Sequence, residues 1–204
     1  FWLKPISGVR WRNGVLHTFA AGQHAAGRRS SALRPAVSQM QRRINKDIAA
    51  STSALEVLAL SERYLSQFNE VNAATALQRI AKSPDARTSV SRDRLAGVVD
   101  SASRCLEALE PQALVRTAWA VAVLRVGDPP CLNAISSAAL TRLAHFKAFH
   151  LARTAWALSR LSIQDVPLWA AISAAALPKM TAFGLQDIAN TAWAMAPSSF
   201  HDYP

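Results

Sequence analysis

Arg142 and Lys179 stand 37 residues apart, and Arg116 and Arg153 are separated by the same interval. Cations that recur at one fixed spacing suit one kind of chemistry: stacked units would align them into a ladder able to follow a phosphate backbone. Arg104 lies one residue off the Arg142 register. Beside the first pair, Asn133 and Ser137 are replaced by Ala170 and Ala174 one interval on, and base-reading positions must vary in this way. A plainer reading makes Arg142 and Lys179 helix C-terminal cations favoured by the macrodipole. Arg116 and Arg153 fall near helix starts, where the dipole disfavours a cation. They are expected to cap a carbonyl, pair with an acid or reach a phosphate.

Catalytic chemistry finds no comparable pattern. His17, His24, His145, His150 and His201 share no repeat position and no metal-ligand spacing, and no catalytic or metal residue is expected. The acids show no pairing for proton transfer, and no glycine-rich phosphate loop occurs. Cys105 and Cys131 occupy different repeat positions and form no C-x-x-C. These features point away from an enzyme, and toward no cofactor and no small-molecule substrate. No stretch reaches the ~20 apolar residues of a membrane span.

The elements that must carry the cations are helices. Trp119, Trp156 and Trp193 recur at 37 residues within Arg116-Thr-Ala-Trp-Ala, Arg153-Thr-Ala-Trp-Ala and Asn190-Thr-Ala-Trp-Ala. A constant period of this size marks a repeat array in which each unit packs only on its neighbours. Leu95, Leu132 and Trp169 align at the same interval, as do Val98, Ile135 and Ile172, then Leu106, Leu143 and Met180. Within each unit these positions form one apolar helical stripe, predicting leading helices at roughly 93–108, 130–145 and 167–182. Following helices are predicted at roughly 111–125, 148–162 and 185–196. The expected fold is all-α, an α-solenoid of two-helix repeats with a 37-residue period. The three tryptophans are expected to be its structural core, buried between units rather than serving as base-stacking platforms.

The connectors repeat as well. Asp128-x-Pro130 and Asp165-x-Pro167 read as helix starts, because Asp caps the first turn and Pro lacks only an N–H that has no partner there. Gly127 reads as the preceding helix end. One further interval gives Asp202 and Pro204, the expected opening of another unit. Upstream, helices are predicted at roughly 53–66 and 70–82 in a longer, divergent unit, where Asn72 precedes Arg116 by 44 residues. The excess is placed in 83–91, which has loop composition. A short helix near 37–48 caps the array.

Charge divides the 204-residue chain. Its formal net charge is +10, yet residues 1–50 hold nine basic residues against Asp47 alone, leaving 14 basic and 12 acidic residues elsewhere. Residues 1–36 read as a basic leader, 37–92 as the cap and divergent unit, and 93–204 as two complete hairpins and one truncated one. The leader's composition, rich in Arg, Ser and Ala, suits an organellar transit segment or a basic tail. A first residue of Phe fits a processed product or a piece of a longer chain.

The segments Leu151-Ala-Arg-Thr-Ala-Trp-Ala-Leu158 and Gln186-Asp-Ile-Ala-Asn-Thr-Ala-Trp-Ala-Met195 resemble the octotricopeptide repeat family and the helical arrays of RAP-domain and FAST-kinase-like proteins. Together with Phe68-Asn-Glu-Val-Asn-Ala-Ala-Thr-Ala-Leu77, they are also similar to helical-repeat subunits of mitochondrial RNA-editing substrate-binding complexes. The resemblance covers roughly residues 50–204, and Asn190 matches the family's usual residue where Arg116 and Arg153 stand. It implies single-stranded RNA (an organellar transcript or rRNA) as partner, in processing, editing, stability or ribosome assembly, in a mitochondrion or plastid. The alternative is a protein–protein scaffold whose concave groove grips a peptide, which the near-neutral repeat body favours.

Overall fold

A computed structural model describes residues 33–200, with side chains described over 39–196. The expected leader up to residue 32, and His201, Asp202 and Pro204, lie outside the described residues. All regular structure described is helical: α1 (Leu33–Ala50), α2 (Ala54–Tyr64), α3 (Glu70–Lys82), α4 (Ala86–Ser89), α5 (Arg92–Ser103), α6 (Pro111–Leu124), α7 (Pro129–Arg142), α8 (Ala148–Arg160), α9 (Val166–Ala176) and α10 (Leu185–Phe200). The all-α expectation holds.

Local chemistry explains most helix starts. Ser53, Ser91, Asp128 and Asp165 each accept a hydrogen bond from the backbone N–H three residues on, satisfying a donor that the helix leaves free. A second device recurs at the third helical residue. The Asn72 side chain accepts from Asn69 N–H at 3.3 Å, and His150 Nδ1 accepts from Lys147 N–H at 3.1 Å. Asp187 accepts from Gly184 N–H in the same way, at 3.1 Å. Asn72 thus shares the role of His150, so its counterpart in α6 is Ala113 rather than Arg116.

Several boundaries differ from expectation. The leading helices stop early and finish in 3₁₀ turns at Leu106–Ala108, Leu143–His145 and Leu177–Ala182. The left-handed residue that ends α6 is Arg125 (φ 53°), not Gly127, and Ser162 (φ 55°) does the same after α8. Val126 N–H to Val121 C=O and Ile163 N–H to Leu158 C=O close the two turns at 3.1 and 2.9 Å. The stretch 83–91 is not all loop, because it contains α4. Asp85 starts α4 and turns its carboxylate to the Ala54 N–H of α2, at 3.0 and 3.1 Å.

Eight of the helices described lie in two layers. α3 packs on α6, α6 on α8 and α8 on α10, while α2 contacts α5, α5 contacts α7 and α7 contacts α9. Between the layers Val98, Leu106, Leu114, Ile135, Phe146 and Leu151 are all but fully buried. Ala118, Ala120, Ala155 and Ala157 are equally buried, and such small side chains let α6 and α8 approach closely.

The tryptophans correct the expectation of a buried indole core. Trp119 and Trp156 are only half-buried at the edge of the core, and Trp193 is 46% exposed. In the first two copies the alanines and threonines of the motif are buried and the indoles only half-buried, whereas in the third only Ala194 is buried. Exposure grows toward α10, where Met180 and Ile188 are open although Leu143 and Leu151 at matching positions are buried. Among the described residues no element packs beyond α10.

Candidate nucleic-acid interface

The two sets of matched cations meet different fates. Arg142, at the end of α7, donates through Nη2 to the Glu107 carbonyl in the preceding 3₁₀ turn. Lys179 donates through Nζ to the Phe146 carbonyl at 2.6 Å, one turn further along. Each therefore ties its hairpin to the one before it. Arg104 pairs with Asp100 one helical turn away, both side chains about two-thirds exposed (64% and 65%). Asn133 and Ser137 are exposed on α7, in the leading layer, on the same helix as Arg142 and on a different one from Arg116 and Arg153.

Arg116 on α6 and Arg153 on α8 are exposed, and among the described residues neither makes a hydrogen bond or ion pair. Both belong to the following-helix layer, on adjacent helices. Each is three residues before a motif tryptophan, so guanidinium and indole share one helix face. Across the layer, the Trp156 and Trp193 rings are 6.1 Å apart between centroids and inclined at 34°. Neither α6 nor α8 contains a single Asp or Glu, so nothing on either helix offsets these charges.

His150 is 95% buried under this surface. Its Nδ1 accepts the Lys147 N–H, which assigns the ring hydrogen to Nε2, and Nε2 has no partner. The ring lies edge-on to Phe149 at 4.0 Å and to Phe146 at 5.6 Å. Burial holds the imidazole below its ordinary value, reinforced by the positive charges of Lys147 and Arg153. The Cys131 thiol, by contrast, is pushed up by burial and is not a poised nucleophile.

The aromatic share of this face escaped the sequence reading, which placed the indoles inside. Two signals were available: the absence of acids from α6 and α8, and the i, i+3 pairing of Arg with Trp. Among the described residues no cluster of His, Cys, Asp or Glu could hold a metal ion. No helix among them is long and apolar enough to cross a membrane. In comparison with known proteins, no family model and no curated protein matches the chain.

Proposed function

We propose that this protein is an α-solenoid of two-helix units that binds single-stranded RNA along its following helices. The observation that carries the reading is the pair of uncompensated Arg–Trp steps, Arg116–Trp119 and Arg153–Trp156, on adjoining acid-free helices. Sequence-tolerant single-strand binders combine such cations, which meet phosphates, with aromatic rings on which bases stack. The repeat reading is supported by helix starts at 92, 129 and 166 and at 111, 148 and 185, each 37 residues apart. The octotricopeptide-like segments add organellar RNA metabolism as the setting.

Filter binding of the chain to a single-stranded RNA across a salt series tests the reading. Affinity should fall steeply with salt, as counterion release requires, and tryptophan fluorescence should be quenched on binding. Binding that ignores salt, or no binding at all, removes the proposal. The second reading, a protein-binding scaffold, is favoured by the open apolar side chains of the last hairpin, Leu177, Met180, Leu185 and Ile188.

A further inference from the structure

The link between α3 and α5 is longer than its counterparts. Nine residues, 83–91, connect them, against four between α6 and α7 and five between α8 and α9. The surplus builds α4. Together with the end of α3, the start of α5 and the end of α6, it encloses a groove of about 700 Å³. Insertions in repeat arrays tend to gather on the face that binds.

Arg87 from the inserted segment, Arg92 from the first turn of α5 and Arg125 at the end of α6 all line this groove, and no acid does. All three side chains are exposed, and none makes a hydrogen bond or ion pair among the described residues. The adjoining groove shares Arg92 and carries Asp100 and Asp128. Both acids are engaged already, Asp100 with Arg104 and Asp128 with the Cys131 N–H. Three guanidiniums left together without an acid form an anion site.

Arg125 sharpens the case. Its left-handed backbone is costly for any residue with a Cβ, and Ser162 makes the same turn 37 residues later. Since serine serves there, the turn does not call for a guanidinium. The lining also includes apolar Ala81, Leu95, Val123 and Leu124, which suit a ribose or base beside a phosphate. Val123 also lies one turn beyond Trp119 on the stripe that carries Arg116, so the groove adjoins the end of that face.

We infer that this groove binds a terminal phosphate, the phosphorylated end of an RNA strand whose body lies along α6 and α8. The inference rests on the RNA reading for its source of phosphate. Three cations exceed what one phosphodiester monoanion needs and match the second charge of a phosphomonoester. Along α6 and α8, by comparison, each helix offers one unpaired motif arginine.

The test compares one RNA sequence carrying a 5′-phosphate, a 3′-phosphate or hydroxyl ends, with a nucleoside monophosphate as a separate arm. One phosphorylated form should bind the chain about tenfold tighter than the hydroxyl form, the scale of one added charge-assisted contact. The double variant Arg87→Ala/Arg125→Ser should abolish that preference without changing affinity for the hydroxyl form. Serine at 125 retains the turn, and circular dichroism checks the fold. Equal binding of all three oligomers overturns the groove inference and leaves the RNA reading intact. Binding of the monophosphate alone, lost in the double variant, upholds the phosphate groove and removes the RNA reading.

Discussion

Basic residues in the two layers obey the same 37-residue spacing and do opposite things. In the leading layer, Arg142 and Lys179 reach back 35 and 33 residues to turn carbonyls, fastening one hairpin to the last. In the following layer, Arg116 and Arg153 meet no acceptor among the described residues, although α6 and α8 contact each other directly. Periodicity alone therefore does not mark a ligand site. Reach decides it: a cation facing the previous unit's orphan carbonyls becomes a strut, and one facing only solvent remains available to a phosphate.

The sharpest way to break this comparison is to remove each pair in turn. Arg116→Ala/Arg153→Ala should weaken single-stranded RNA binding by about tenfold or more and lower the salt slope by ~1.4, two contacts' worth on a single strand. Its denaturation midpoint should stay within ~0.5 kcal/mol of the parent, as for exposed sites generally. Arg142→Met, which keeps the apolar stem, should do the reverse. Stability should drop by about 1–2 kcal/mol, the scale of a hydrogen bond made by a charged group, with the salt slope unchanged. An equal loss of RNA affinity in both variants would erase the distinction between the layers.

Much of the local structure is legible in the sequence. α3 begins and ends where its apolar pattern predicts, and Asp128 and Asp165 cap as an Asp before Pro should. These are local effects, decided within four residues. What stayed hidden is tertiary. Nothing near Arg142 in the chain says that the Glu107 carbonyl lies beside its guanidinium. The composition of 83–91 conceals α4, because Asp85 acts on a helix start 31 residues away. The Trp-centred motif told where the helices are but not which way their indoles face. Buried Ala118 and Ala155 fill the volume that the rings were expected to occupy.

His150 offers a gentler probe of the same contrast. Arg153 contributes to holding its imidazole down, after burial and Lys147, so its titration senses whether that arginine is neutralised. Followed by NMR, the His150 pKa should rise in Arg153→Ala, and also when RNA binds, yet stay put in Arg142→Met. Stability carries the matching sign. Below the ordinary value of 6.5 the unfolded chain takes up a proton that folded His150 resists, so stability falls as pH drops through the folded value. His150→Asn keeps the capping acceptor, as Asn72 does in α3, without the titration, and should flatten that acid-side decline. A decline that persists unchanged would assign it to another group.

The smallest effect separates strut from ligand site within a single turn type. Arg125 and Ser162 both hold left-handed backbone that glycine adopts without steric cost. Glycine at either position relieves roughly 1–2 kcal/mol of strain and returns part of it as unfolded-chain entropy. Ser162→Gly and Arg125→Gly should therefore each raise stability by about 0.5–1 kcal/mol in denaturant melts. If the two turns differ only in what the side chain meets, their gains should agree while their ligand behaviour diverges. Phosphate preference should survive Ser162→Gly and disappear in Arg125→Gly. A gain at 162 with a loss of stability at 125 would instead make Arg125 a strut, placing it with Arg142 and Lys179 rather than with Arg116 and Arg153.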